Sequence, residues 1–416
     1  MVSSLSVEKL RDHGINNIPI GWKISKVKYL GNYINGYAFK PTDWSSVGKP
    51  ILRIQNLTSS DNEPNRYDGE LHNKYLVKKN DILISWSGSI GVYRWLNEDS
   101  WLNQHIFKVE VNKGIINDDY FMWLAEWFVK ELSRDTHGST MQHLTTDAFG
   151  SFPVIIPPFE VQKKISSFLK TEINQIDKLI KAKNALLKII YEKKLIGIRQ
   201  IVTKGINSTV KLKDSNVDWI GQVPIHWNIE RSKWLLKEIN QRSETGEEDL
   251  LTVSHITGVT LRSEKDVNMF EADTTEGYKL CLKNDLVINT LWAWMGAMGI
   301  APINGIVSPA YHVYRLGGKL YPKYVDYLVR IPVFAKEVTR YSKGVWSSRL
   351  RLYPDGLYET YWPLPPFSEQ IKIVDFLDNE INSLDNLILE TEKSINLLNQ
   401  RKHLLISDLV TGKIEL

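Results

Sequence analysis

The residues first worth testing for chemistry are the two Pro-Pro-Phe runs, Pro157-Pro158-Phe159 and Pro365-Pro366-Phe367. In an amino-group methyltransferase such a run follows an Asn, Asp or Ser that accepts a hydrogen bond from the target amine. Here Ile156 and Leu364 precede them, and neither side chain can accept one. No G-x-x-x-x-G-K-[ST] loop is present to cradle ATP, and no Gly-rich cofactor loop follows a strand. The nine histidines never form H-E-x-x-H; His137 and His143 stand six apart, and Asp147 has no acidic neighbour with which to share a proton or a metal. Neither a catalytic centre nor a metal site is expected. The densest donor-rich stretch is Lys343 to Arg351, with three cations, three hydroxyl or indole donors and a glycine in nine residues.

The elements that would carry such stretches are duplicated. Residues 157–206 recur without a gap at 365–414, at an offset of 208, half of the 416 residues. Gln162 answers Gln370, Phe168-Leu169 answers Phe376-Leu377, Glu172-Ile173-Asn174 answers Glu380-Ile381-Asn382, and Val202-Thr203 answers Val410-Thr411. Upstream, Ile18-Pro19-Ile20-Gly21-Trp22 answers Val223-Pro224-Ile225-His226-Trp227, and Leu10-Arg11-Asp12 answers Leu212-Lys213-Asp214. Between these landmarks the halves diverge, except where Lys79-Asn80-Asp81-Ile82-Leu83 matches Lys283-Asn284-Asp285-Leu286-Val287 and Gly138 matches Gly344. A kept frame with changed contents suits two modules doing one kind of job on different targets.

At 43% hydrophobic and 24% charged, the chain has the composition of a globular protein with two or three cores. No apolar run approaches the roughly 18 residues of a membrane span, and the N-terminus does not read as a signal segment, so a cytoplasmic location is expected. The single cysteine, Cys281, excludes internal disulfides and multi-cysteine metal sites. A net charge of +4 is compatible with a nucleic-acid partner without requiring one.

All 14 tryptophans lie outside the two repeats, in 18–156 and 216–364, segments whose glycines and short β-like runs predict α+β domains. The repeats predict long helices. Leu169, Ile173, Ile176, Ile180, Leu187 and Ile190 follow heptad spacing, as do Leu377, Ile381, Leu384, Ile388, Ile395 and Leu398. Lys183, Lys194, Thr391 and Lys402 loosen the two seams towards their C-terminal halves. Helices of about 40 residues would be about 60 Å long. Their apolar stripes are expected to cover each other in an antiparallel coiled coil with pseudo-twofold symmetry. The expected layout is an N-terminal segment (1–17), a first domain (18–156), a first helix (157–206), a linker (207–215), a second domain (216–364) and a second helix (365–416).

The order of these parts resembles the specificity subunit of type I restriction-modification systems over essentially the whole chain. Lys213-Asp214-Ser215, Trp219-Ile220-Gly221 and Pro224-x-x-Trp227 resemble that family's module entry, and Pro365-Pro366-Phe367-Ser368-Glu369-Gln370 its exit. The first copy departs from the pattern with Val161 where the acid stands. The resemblance implies a non-catalytic reader of double-stranded DNA, its two target-recognition domains contacting the halves of an asymmetric bipartite site while the helices set the spacer. It further implies two docked methyltransferase subunits and restriction/translocase subunits. S-adenosylmethionine, ATP and Mg would then serve those partners, with no cofactor for this chain.

Base readout needs side chains that hydrogen-bond groove edges. In the first domain the candidates are Tyr37, Lys40, Arg53, Asn56, Ser85, Trp86, Ser87, Ser89, Asn103, Gln104, Ser139, Thr140, Gln142 and His143. In the second they are Ser254, His255, Asn289, Thr290, Trp292, Trp294, Ser308, Tyr311, Lys343, Trp346, Ser347, Ser348, Arg349 and Arg351. Taken singly, each has a plainer structural reading: a Ser- and Gly-containing loop is usually a turn, and a tryptophan usually belongs to the core. Two other functions are open to the sequence. A coiled-coil adaptor would not bind DNA in a salt-dependent way, and an autonomous DNA-modifying enzyme would bind a cofactor as the isolated chain.

Overall fold

The computed structural model describes residues 8, 10–58, 63–135, 146–265, 274–344 and 350–416. The chain divides into two compact units, residues 1–183 with 393–416, and residues 184–392.

In the first unit the strands are β1 (Lys23–Lys26), β2 (Gly31–Asn35), β3 (Lys49–Leu52), β4 (Arg66–Tyr67), β5 (Leu76–Val77), β6 (Ile82–Ser85), β7 (Gly91–Arg94), β8 (Ser100–Leu102), β9 (Ile106–Val111) and β10 (Pro153–Ile156). Helices α1 (Ile54–Thr58), α2 (Asp118–Asp135) and α3 (Thr146–Ser151) accompany them. An antiparallel sheet runs β2-β9-β6-β7; a second runs β4-β3-β8-β5, with β3 and β8 parallel. Successive strand residues point to opposite faces, so β6 serves two cores. Ile82 and Ile84 join Phe107, Phe121 and Phe128, while Leu83 joins Leu52, Val77 and Leu102.

The second unit repeats this plan. Its strands are β11 (Leu212–Asp214), β12 (Gln222–Pro224), β13 (Asn228–Arg231), β14 (Leu236–Ile239), β15 (Leu251–Ser254), β16 (Gly258–Leu261), β17 (Lys279–Cys281), β18 (Leu286–Asn289), β19 (Met298–Ile300), β20 (Gly305–Val307), β21 (Tyr311–Leu316) and β22 (Tyr361–Leu364). The sheet β14-β21-β18-β19 has the order and antiparallel sense of β2-β9-β6-β7, and β13 pairs with β22 as β1 pairs with β10. Within β18, Leu286 and Ile288 enter one core and Val287 the other.

The Asn-Asp landmark shared by the halves is a turn. Asn80 and Asn284 have φ of 75° and 76°, left-handed values that a short polar side chain tolerates better than most. The following carboxylates accept from the backbone, Asp81 from Lys78 N (2.8 Å) and Asp285 from Leu282 N (2.9 Å).

Two long helices complete the units, α4 (Phe159–Lys204) and α8 (Phe367–Val410); α5 (Pro322–Arg330), α6 (Pro332–Arg340) and α7 (Pro354–Tyr358) belong to the second domain. In the first unit Leu169, Ile173 and Ile176 of α4 share a core with Ile406, Leu409 and Val410 of α8. In the second, Val202 of α4 joins Ile373, Val374 and Leu377 of α8. The start of each helix thus packs beside the end of the other, so the two run antiparallel. The remaining seam residues, Ile180, Leu187, Ile190, Ile381, Leu384, Ile388, Ile395 and Leu398, are buried or half-buried. Two of the seam lysines are ion-paired: Lys194 reaches Asp385 (2.6 Å), and Lys402 reaches Asp177 (2.9 Å) at the repeat-related position. The seams therefore exchange apolar contact for paired charge there, a substitution that favours one register.

Candidate nucleic-acid interface

In the second unit the expected stretches converge at the end of β18. Asn289 is buried; its Nδ2 donates to Val253 O (3.4 Å) and Tyr311 Oη (3.1 Å), and its Oδ1 accepts from Leu291 N (3.2 Å). Thr290 Oγ1 donates to Ala310 O (2.6 Å), and Leu352 N donates to Thr290 O (3.2 Å). Lys343 and Arg351 close the base of their loop with a reciprocal pair of backbone hydrogen bonds, each 2.9 Å. Segments 253–255, 289–294 and 308–312 are thereby tied, with Lys343, Arg351 and Leu352, into one surface.

Roles divide within that surface. The hydroxyls of Ser254 and Ser308 accept from Ile256 N (3.0 Å) and Ala310 N (3.4 Å), so together with Asn289 and Thr290 they hold backbone in place. Tyr311 is half-buried, and that burial pushes its phenol above its usual value. Trp294 is half-buried and donates Nε1 to Leu291 O (3.0 Å). His255, Trp292, Lys343 and Arg351 face solvent. Trp346, Ser347, Ser348 and Arg349 lie outside the described residues, as do Ser139, Thr140, Gln142 and His143 of the first unit.

In the first unit a cleft of about 210 Å³ is lined by Phe39, Trp44, Arg53, Gln55, Asn103 and Gln104. Its wall depends on Gly36, where a Cβ would stand 2.1 Å from Asn103 O. That approach lets Tyr37 N donate to Leu102 O (2.8 Å) and Gln104 N to Tyr37 O (3.0 Å). The Arg53 guanidinium lies 5.5 Å from the Trp44 ring centroid, and Asn56 Oδ1 accepts from Arg53 N (3.0 Å). Lys40 is exposed, and Tyr37 sits in an edge-to-face series with Tyr75 and Phe39.

The turn after β6 is mostly inward-facing. Ser85 is buried and donates to Ser89 O (2.6 Å), and Trp86 donates to Asn35 Oδ1 (3.3 Å) with its ring against Phe107. Ser87 is half-buried and Ser89 exposed. Trp44 and Gln55 were not among the candidates expected from the sequence; the available signal was their spacing around Tyr37 and Arg53 in an aromatic-rich stretch.

Among the described residues no group of three or more His, Cys, Asp or Glu is placed to hold a metal. The buried Cys281 thiol is pushed up to about 12 by burial and by the Asp285 charge, so it stays protonated. No helix among the described residues is long and apolar enough to cross a membrane.

Two similar domains, each presenting cations and hydrogen-bonding groups, define a protein built of two related modules. Residues 19–188 match the family model described as the type I restriction modification DNA specificity domain. The specificity subunit of the type I restriction enzyme EcoBI from Escherichia coli is 23% identical over 92% of this chain and 83% of its own length. That of MjaVIII from Methanocaldococcus jannaschii is 24% identical over 97% and 95%. A chain solved in work on complex assembly and conformational transition of the type I R-M system shares the fold, with a TM-score of 0.68 at 14% identity, covering 96% of this chain and all 100% of that one. The HsdS subunit from Thermoanaerobacter tengcongensis gives a TM-score of 0.53 at 12% identity, covering 96% and 98%. Along almost its whole length the chain is thus similar to the specificity subunits of type I restriction-modification systems. It is a DNA specificity subunit, which in this family is non-catalytic and carries no cofactor of its own, and forms part of a type I complex.

Proposed function

We propose that the two domains read the two halves of an asymmetric bipartite DNA target, and that α4 and α8 fix the spacer between those halves. One observation carries this reading: the two domains keep the same four-stranded antiparallel sheet, the Asn-Asp turn and the β1–β10 and β13–β22 pairings but present different side chains. Arg53, Asn103 and Gln104 offer base-edge donors in the first, and Lys343 and Arg351 in the second; different readers require different half-sites, whereas identical ones would give a palindrome.

The helices carry apolar side chains beyond their mutual seam, among them Leu179, Leu186 and Ile189 of α4 and Leu387, Leu389 and Leu397 of α8, each more than 40% exposed. Exposed apolar rows of this kind suit a protein partner, and two methyltransferase subunits are the partners the family supplies, with restriction/translocase subunits joining the assembly. S-adenosylmethionine, ATP and Mg belong to those partners, and the cytoplasm is the expected compartment. Methylation mapping in cells that express this chain with its methyltransferase tests the reading. A split, non-palindromic methylated motif supports it; a continuous or palindromic motif overturns it.

A further inference from the structure

Equivalent hairpins of the two units end in different turns. Residues 86–90 join β6 to β7 and present Ser87-Gly88-Ser89 at the tip, with Trp86 turned onto Phe107. Residues 290–297 join β18 to β19, a longer turn in which Leu291, Trp292 and Met295 are 39%, 50% and 36% exposed.

This apolar turn is held firmly. Trp292 N donates to Asn289 O (3.0 Å), Met295 N to Trp292 O (3.0 Å) and Gly296 N to Ala293 O (2.8 Å), the last residue lying at φ 91°. Trp294 stacks on Trp292, with ring centroids 6.2 Å apart and planes 20° from parallel, while its Nε1 is bonded to Leu291 O. One face of the Trp292 indole is therefore braced. Through Thr290 and Leu352, exposed Lys343 and Arg351 are anchored beside the turn. A plain connector requires neither the exposed apolar surface nor the buried bonds that fix it.

We propose that residues 290–297 form an apolar wedge that stacks on, and partly opens, one base step in the half-site read by the second domain. Trp292 is the stacking residue and Trp294 positions it, beside Lys343 and Arg351, the base-edge donors for neighbouring positions of the same half-site. Apolar side chains inserted at a step unstack it and kink the duplex, at a cost that depends on the step; pyrimidine–purine steps yield most readily. The wedge therefore discriminates sequence at a step where no base edge is hydrogen-bonded. The first domain, with Ser-Gly-Ser at the same place, reads without one. The inference rests on the second domain being a half-site reader.

The test uses the full chain complexed with its methyltransferase subunits, on duplexes carrying the mapped motif with 2-aminopurine at each position in turn. Binding is expected to raise fluorescence at one step of the second domain's half-site, where base stacking is lost. Trp292→Ala abolishes that signal and weakens binding about ten-fold or more, the effect of losing one stacked base, with the salt dependence unchanged. Trp292→Phe, which keeps an aromatic face, retains most of both and controls for folding. Specific binding with no fluorescence change at any position, or full affinity in Trp292→Ala, overturns the wedge and leaves the bipartite reading intact. Failure of the unaltered complex to bind a bipartite motif overturns both.

Discussion

Gln162 and Gln370 make the same three hydrogen bonds, each within its own unit. Gln162 Oε1 accepts from Asn117 N (2.7 Å) while Nε2 donates to Ile115 O (3.1 Å) and Pro157 O (2.9 Å). Gln370 Oε1 accepts from Tyr321 N (2.7 Å) while Nε2 donates to Lys319 O (2.9 Å) and Pro365 O (2.9 Å). Each glutamine joins the first turn of a long helix to the chain entering a domain helix, α2 or α5, and so fixes where the domain sits on its helix. Both side chains are at most 1% exposed.

Leucine at either position is isosteric enough to fill the space but leaves one backbone N–H and two carbonyls without partners. Gln370→Leu is expected to lower unfolding stability by about 3 kcal/mol, given roughly 1–3 kcal/mol for each stranded group. Urea denaturation followed by tryptophan fluorescence measures it. A loss below about 1 kcal/mol would show that the clamp is not structural.

The Asn-Asp turn gives a contrast between the units. Asp285 adds to its cap a two-point contact with Arg315 (2.9 and 3.0 Å), whereas Asp81 forms no ion pair among the described residues. Asp285→Ala is expected to cost about 2–3 kcal/mol and Asp81→Ala about 1 kcal/mol, the difference being the charge-assisted bonds. At the left-handed position, Asn284→Ala should cost about 1 kcal/mol and Asn284→Gly almost nothing. Equal losses for both Asp variants would remove the Arg315 contribution.

The repeat, the heptad stripes and the two-domain layout were legible in the sequence because each is a period, and periods survive without knowledge of contacts. The partners of Lys194 and Lys402 were not, since Asp385 and Asp177 stand far along the chain; each lysine read alone as a flaw in its seam. The candidate surface was legible by segment rather than by atom. Residue type cannot separate Ser254, Asn289 and Thr290, which hold backbone, from Lys343 and Arg351, which face outward. Nor does it separate Trp86, packed on the core, from Trp292, half-exposed in the equivalent hairpin.

Arginine substitutions should act on one half-site at a time. Arg351→Ala is expected to weaken binding by about 1–3 kcal/mol if a bidentate base contact is lost, and only for duplexes altered or retained in the second domain's half-site. Arg53→Ala, removing the cation over Trp44, should do the same for the other half. Competition binding with duplexes scrambled in one half or the other reads this out. Equal loss on both halves, or none, rejects the assignment.

His312 gives the second unit a pH dependence. Its Nδ1 lies 2.7 Å from Glu238 Oε1, but burial, joined by the Lys279 charge, outweighs that carboxylate and holds the imidazole below its usual value. The unfolded chain then takes up the proton first as pH falls through about 6.5, so stability is full above that pH and declines below it until the folded imidazole titrates. Denaturation midpoints between pH 7.5 and 5.5 should fall less steeply for His312→Gln than for the unaltered chain. Parallel slopes would show that His312 is not a source of acid sensitivity.

The spacer is the quantity the helices are proposed to set, and an insertion that preserves their pairing isolates it. Seven residues added after Lys183 in α4 and after Thr391 in α8, equivalent positions in the repeat, keep the apolar seams in phase. They also leave Lys194 able to reach Asp385, and Lys402 able to reach Asp177, because each pair lies wholly on one side of the insertions. Each helix lengthens by about 10 Å at 1.5 Å per residue, or about three base pairs at 3.4 Å each. Methylation mapping should therefore return the same two half-site sequences with the spacer enlarged by about that number. An unchanged spacer means the helices do not measure it, and altered half-sites mean that the domains do not read independently of them.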